Sequence, residues 1–169
     1  LTNGIKADNE FQVVENLKKG GNIIFIRHAY APGGGDPDNF NIYDCLTQRN
    51  LSDLGREQSK KIGNFFKKNF IPIDKVISSE WCRCKETALI AFNDYETESF
   101  LNSFYSAKFS KNKKKQMINL KKYVNNWKGD KNLVLVTHYV VISEALNYAP
   151  NSGEIVVTDK NLKKIGNIE

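Results

Sequence analysis

NIIFIRH at residues 22–28 and NLVLVTH at residues 132–138 are the two stretches that decide the fold. Each is a short run of apolar, largely β-branched residues that ends in histidine. Neither alternates apolar with polar, so both read as strands covered on both faces, as the central strands of a parallel sheet are. His28 and His138 are the only two histidines in the chain, and they fall at the same place on the two strands. Ligand sites in open α/β sheets lie beyond the carboxyl ends of the strands. If the two strands are neighbours, their imidazoles meet there. Arg27 strengthens the expectation, because an arginine at the end of a buried strand is costly unless it meets an anion.

The rest of the chain alternates strand and helix signals. Phe11, Val14 and Leu17, spaced three apart, predict an amphipathic helix over 9–19 that Gly20-Gly21 closes. A loop rich in Gly and Pro follows the first strand as far as Asn50. Ser52 is a candidate N-cap for a helix running to about Phe70, with Leu54, Ile62, Phe65 and Phe66 inward. Residues 74–79 read as a strand, 80–92 as a helix and 93–110 as irregular chain. Met117, Leu120, Val124 and Trp127 form the stripe of a helix over about 111–128. After the strand at 132–138 come a helix, the strand GEIVVTD (153–159) and a last strand near 162–168. This order predicts one α/β domain over residues 1–169, a three-layer αβα arrangement around a mostly parallel sheet.

Composition excludes several classes. A chain of 169 residues suits one domain. No apolar run approaches the roughly 20 residues of a membrane span. The net charge of +6 comes mostly from lysines such as Lys111, Lys113, Lys114, Lys115, Lys121 and Lys122. Few aromatics interleave with them, so they read as a solvated helix face and nucleic acid is not an expected partner. Two histidines and three scattered cysteines, with no C-x-x-C, give no tetrahedral metal set, and neither metal nor cofactor is expected.

A third piece, SSEWCRCKETA at 78–88, follows a strand and opens a helix carrying Arg83. Backbone N–H groups at a helix start favour anions, and guanidinium forks match phosphate oxygens. Two histidines, Arg27 and Arg83 converging on one mouth suit phosphoryl transfer. One imidazole attacks phosphorus while the cationic groups hold the equatorial oxygens.

Taken together, RHA (27–29), LSDLGREQS (51–59), SSEWCRCKETA (78–88) and VTH (136–138) resemble the histidine phosphatase superfamily, in its smaller branch, with a phosphoglycerate mutase-like fold. The resemblance implies His28 as the phosphorylated nucleophile. It implies Arg27 and Arg83 as phosphate clamps and His138 as the second pocket histidine. The partner it implies is a small phosphorylated substrate, a phosphosugar among the candidates. DCLTQRNLS (44–52), WCRC (81–84), LNSFY (101–105) and SGEIVV (152–157) are similar to a subgroup of small bacterial, often exported phosphatases related to the lipopolysaccharide core heptose phosphatases.

The departures shape the expectation. Tyr139 stands where many members have glycine after the second histidine, which narrows the pocket. In FLNSFY (100–105), Ser103 occupies the place of the usual general-acid glutamate and is a candidate substrate contact instead. Asp36, Asp38, Asp44, Glu96 and Glu98 are alternative sources of the acid, and the sequence does not choose among them. A phosphoramidate such as phosphohistidine leaves without a strong acid, which keeps a phosphohistidine phosphatase open. A phospho-ligand binding module with a degraded site is the other alternative. The start at Leu1 and the subgroup resemblance point to the periplasm or secretion, with the cytoplasm as the alternative. In an exported protein Cys45, in the long loop, is expected to bridge Cys82 or Cys84, Cys84 being favoured, while a cytoplasmic protein would keep three thiols. Cys82 and Cys84 point in separated directions on a helix and are not expected to pair with each other.

Overall fold

The computed structural model describes residues 2–169, with side chains described from residue 9. In chain order its elements are α1 (Thr2–Lys19), β1 (Ile23–Arg27), α2 (Asp53–Lys68), β2 (Ile73–Ser78), α3 (Cys82–Phe92), β3 (Glu96–Thr97), α4 (Lys113–Asn126), β4 (Asn132–Thr137), α5 (Tyr139–Leu146), β5 (Ile155–Thr158) and β6 (Lys164–Ile168). The six strands form one sheet in the order β3-β2-β4-β1-β5-β6. The first four run parallel, and β5 and β6 add an antiparallel edge beyond β1.

The sheet is covered on both sides, which is why β1 and β4 lack alternation. On one face Ile24, Ile26, Val134 and Val136 pack with Val13 and Leu17 of α1, Ile62 and Phe66 of α2, and Ala88 and Ala91 of α3. On the other, Ile23, Phe25, Leu133 and Leu135 meet Met117, Leu120 and Val124 of α4 and Val141 and Ile142 of α5. Burying each large side chain of this kind stabilises the fold by about 1.5–3 kcal/mol. The result is the expected αβα sandwich.

Two inward assignments are corrected. Phe11 is 61% exposed and Leu54 67% exposed. Among the described side chains of α1 the buried ones are Val13 and Leu17, one turn apart, and Phe11 lies well off that stripe. In α2 the inward row is Gly55, Ser59, Ile62, Gly63 and Phe66, and Leu54 sits about 100° from Gly55. Ser52 caps α2 as expected, its Oγ accepting from the Gly55 N–H at 3.2 Å. Gly55 has no room for a Cβ, because the Tyr30 carbonyl lies against it. The start of α2 is thereby packed onto the chain just beyond His28.

β1 and β4 are tied at both ends. At their amino ends, the buried Asn22 Nδ2 donates to Asn132 Oδ1 at 2.9 Å. At their carboxyl ends, Arg27 is in register with Thr137, and the His28 N–H donates to the Thr137 carbonyl at 2.9 Å. On the other side of β1, the Gly153 N–H donates to the Arg27 carbonyl at 3.1 Å. Among the described residues no helix is long and apolar enough to cross a membrane.

Candidate active site

His28 and His138 leave the sheet side by side, and their ring centroids lie 5.6 Å apart. They line a pocket of about 440 Å³ with Arg27, Arg49, Arg83, Asp36 and Tyr139. A groove of about 550 Å³ beside α2 and β2 is larger, but neither histidine nor arginine lines it. Chemistry rather than volume therefore singles out the histidine pocket.

The proton of His28 can be placed. Its Nδ1 lies 2.9 Å from the Ala29 carbonyl. A carbonyl oxygen only accepts, so Nδ1 carries the proton and Nε2 presents its lone pair. The Arg83 Nε–H donates to that Nε2 at 3.2 Å. Burial pushes the imidazole well below its ordinary pKa, and the nearby Arg83 charge pushes it further. His28 is thus a neutral, oriented imidazole whose Nε2 lies beside a guanidinium. The loop behind it is fixed, because the Ala29 N–H donates to Thr87 Oγ1 of α3 at 3.0 Å.

His138 caps the start of α5. Its Nε2 lies 2.8 Å from Ser79 Oγ, and the Trp81 ring stands edge-on to it at 5.4 Å between centroids. Burial, followed by the charge of Arg83, holds this imidazole well below its ordinary pKa too. Both rings are neutral at neutral pH.

Arg27 is only partly paired within the protein. Its Nη1 donates to the Pro150 carbonyl at 3.0 Å, and its guanidinium carbon lies 5.3 Å from the Tyr139 ring centroid. Its Nε is buried and donates to nothing. A buried unpaired donor costs about 1–3 kcal/mol. Tyr139 covers this arginine at the pocket wall, consistent with a narrowed mouth.

Arg83 is almost fully enclosed, at 3% side-chain exposure, and its fork is occupied. Its Nη1 donates to Asp36 Oδ1 at 2.8 Å and its Nη2 reaches Asp36 Oδ2 at 3.4 Å. The backbone start of α3 is less available to an anion than the sequence suggested. The Cys82 N–H already donates to Gln48 Oε1 at 2.9 Å, and the Trp81 N–H to Ser79 Oγ at 3.1 Å. The donors lining the pocket are therefore guanidinium side chains more than helix-terminal amides.

Ser103 borders the pocket, and its Oγ accepts from the Tyr105 N–H at 3.2 Å. Of the five alternative carboxylates, Asp36 lies inside the pocket and Asp38 at its exposed rim. Asp44 caps a 3-10 turn by accepting from the Leu46 N–H at 3.0 Å. Glu96 and Glu98 are exposed at the β3 edge.

Sequence reasoning missed Arg49. It is half-buried in the pocket wall, where its Nε donates to the Gly35 carbonyl at 2.8 Å and its Nη1 to the Ala31 carbonyl. Its charge contributes to the depression of both histidines. One signal pointed to it. Arginine is scarce beside lysine, with four residues in all, and three of them now line one pocket.

The cysteine expectation is corrected in its partner. Cys45 is bonded to Cys82, and Cys84 is free and buried. Cys82 opens α3 on the side that faces the loop. Two residues on, Cys84 is turned about 200° around the helix, into the core beneath His138, with its Sγ 3.5 Å from Nε2. Burial pushes the Cys84 thiol up to about 12, so it is not a thiolate at neutral pH.

A paired-histidine, triple-arginine pocket thus lies at the carboxyl end of a mostly parallel sheet. Residues 23–102 match the family model described as histidine phosphatase superfamily (branch 1). The mitochondrial serine/threonine-protein phosphatase Pgam5 of Drosophila grimshawi is 37% identical over 87 residues, which is 50% of this chain. The chain spans about a quarter of that relative's length, 27%. Phosphoglycerate mutase from Thermus thermophilus superposes with a TM-score of 0.62 at 14% identity, over 88% of this chain and 98% of its own. The protein histidine phosphatase SixA, solved with tungstate, gives 0.57 at 15% identity, over 85% and 92%. At such identities the structural likeness is one of fold. The family match thus covers 80 of the 169 residues, and the solved structures share the fold over more than four fifths of the chain.

Proposed function

We propose that this protein is a phosphatase that hydrolyses a phosphomonoester through a phosphohistidine formed on Nε2 of His28. The observation that carries the reading is the fixed tautomer of His28. Its proton is held by Ala29, its Nε2 lone pair accepts from Arg83, and Arg27, Arg49 and Arg83 line the same pocket. Arg83 and Arg27 hold the phosphoryl oxygens as charge spreads over them, and His138 supports the same oxygens from the second strand.

The substrate we favour is a phosphorylated sugar. A neighbouring groove of about 660 Å³ shares Phe40, Trp81, Ser103 and Phe109 with the pocket. Asn39, Asn112, Asn119 and Lys115 line that groove. Carboxamides beside aromatic faces suit a ligand that carries many hydroxyl groups. The similarity to the heptose phosphatase-related subgroup supports the same class. The Cys45–Cys82 bond supports an oxidising compartment, periplasmic or extracellular, as the place of action.

The test is turnover of 4-nitrophenyl phosphate, then of a panel of sugar phosphates, nucleotides and phosphopeptides. Wild-type protein quenched in base during turnover of a labelled substrate should carry phosphate on His28. His28→Ala should lose turnover and labelling while keeping its circular dichroism. Hydrolysis that persists in His28→Ala sinks the mechanism.

A further inference from the structure

An alcohol leaving group needs a proton, and the Ser103 hydroxyl is too weak an acid to supply it. Among the candidate carboxylates, Asp36 alone lies in the pocket and touches a phosphate-binding side chain. Gly35, with φ at 66° in the left-handed region, turns the loop so that the next residue enters the site. There Asp36 Oδ1 accepts from Arg83 Nη1 at 2.8 Å and from the Arg49 N–H at 3.0 Å. Its Oδ2 accepts from Trp81 Nε1 at 3.0 Å. Two of these three donors, the Arg49 amide and the Trp81 indole, keep the carboxyl in place without help from Arg83. Arg83, by contrast, is aimed at both Asp36 and the nucleophilic Nε2 of His28.

Resting on the phosphatase reading above, we propose that Asp36 is the general acid–base of the reaction, and that the substrate's phosphoryl group switches it on by taking Arg83 away from it.

In the ligand-free pocket burial pushes the Asp36 carboxyl up, but the hydrogen bond and charge of Arg83 outweigh burial, with help from the Arg49 amide and the Trp81 indole. The net effect is a carboxyl below its ordinary range, an ionised group with no proton to give. Arg83 and Arg49 face it directly. His28 and His138 share the pocket as neutral rings, and Lys108 and Asp38 stand at the rim. A phosphoryl anion competes for the same guanidinium fork. Once Arg83 turns to the phosphoryl oxygens, Asp36 has lost a cation and gained an anion as neighbours while remaining half-buried. All three conditions favour its protonated form.

The proton enters with the substrate monoanion or from solvent. In the first half-reaction the His28 Nε2–P bond forms and the P–O bond to the leaving group breaks. The leaving oxygen takes the Asp36 proton and departs as an alcohol. In the second half a water oxygen bonds to phosphorus as the P–N bond breaks. That water gives a proton to the Asp36 carboxylate, His28 returns to its neutral form, and inorganic phosphate is released. The next phosphoryl group inherits a reprotonated carboxyl, and an empty pocket reverts to the Asp36–Arg83 pair.

Asp36→Asn separates this role from a structural one, because the amide keeps an oxygen for the Arg49 amide or the Trp81 indole but neither competes for Arg83 as an anion nor delivers a proton. The expected result is a loss of roughly 10²–10⁴ in kcat/KM on phenyl phosphate, whose leaving group needs protonation, and less than tenfold on 2,4-dinitrophenyl phosphate, whose leaving group does not. Inorganic phosphate should bind the variant more tightly than wild type, measured by quenching of tryptophan fluorescence. Equal losses on the two substrates, or no loss on phenyl phosphate, overturn the acid role. Unchanged or weaker phosphate binding overturns the switch. If wild type turns over neither ester, the phosphatase reading fails, and the binding measurement still decides whether Asp36 and phosphate compete for Arg83.

Discussion

Replacing Cys45 and Cys82 with serine removes a covalent tie between residues 37 apart in sequence. In the chain-entropy description, closing a loop of that size lowers the entropy of the unfolded chain enough to stabilise the native state by about 3.8 kcal/mol at 25 °C. For 169 residues, an unfolding entropy of about 2.1 cal/mol/K per residue converts this into a Tm lower by roughly 10 °C. The loop itself should hold its native path. Gln48 Nε2 donates to the Asn41 and Ile42 carbonyls while its Oε1 accepts from Cys82, and Phe40 stacks on Trp81 at 4.8 Å between centroids. The perturbation should therefore appear as lost stability with little change in folded-state spectra. The assay is urea denaturation followed by far-UV circular dichroism, with and without dithiothreitol. Wild type should lose most of the roughly 3.8 kcal/mol on reduction, and the double serine variant should have lost it already and ignore the reductant. Cys84→Ser should stay sensitive to reductant, because Cys84 is not in the bond. A wild-type change below about 1 kcal/mol on reduction, or a Cys84→Ser variant blind to reductant, would refute the reasoning.

Two further outcomes follow from the pocket. Arg83→Lys should lose at least tenfold in kcat/KM and bind vanadate more weakly, since a point charge cannot hold His28 Nε2 and a phosphoryl edge at once. Unchanged inhibition by vanadate would remove Arg83 from the site. Stability should also fall as pH drops below about 6.5. His28 and His138 are held neutral in the native state, chiefly by burial and then by Arg83, while the unfolded chain binds their protons near about 6.5. The unfolded state thus holds more protons in that window, and each histidine lowers stability by up to about 1.4 kcal/mol per pH unit until its native value is reached. Denaturation midpoints at pH 7.5 and 5.5 measure this, and a His138→Gln variant should show a shallower slope.

The parts legible in the sequence are those set by local chemistry. The doubly buried strands, their terminal histidines, the Ser52 cap and the α4 stripe each follow from residue type and spacing alone. The parts that were not legible depend on the path of the chain through space. β3, two residues long, is a strand only because Ile77 and Ser78 are beside it to pair with. Arg49 joins the site from a loop with no periodicity to read, and its guanidinium is placed by carbonyls fourteen and eighteen residues earlier in the chain. The choice between Cys82 and Cys84 turned on which side of α3 faces the loop, a matter of helix phase that a count of residues does not supply. Asp36 could not be told from Asp38 and Asp44 for the same reason. A left-handed glycine and two donors from elsewhere in the fold decide which of the three points inward.

The distance between the two imidazoles is a property of the backbone. It follows from the parallel register of β1 and β4, which runs from Ile23 beside Leu133 to Arg27 beside Thr137 and ends in the bond from the His28 N–H to the Thr137 carbonyl. Sequence length is therefore constrained very unequally along this chain. One residue inserted or deleted in 23–28 or 132–138 keeps every apolar character but turns one histidine to the opposite face of the sheet. The pocket then disappears from a protein that still folds. The loop from 31 to 50 is under no such rule. It can lengthen or shorten at a cost that grows only slowly with residue number, provided its attachments to α3 survive. Relatives that act on different substrates should then differ in the length of this loop while the two strand segments keep their residue count.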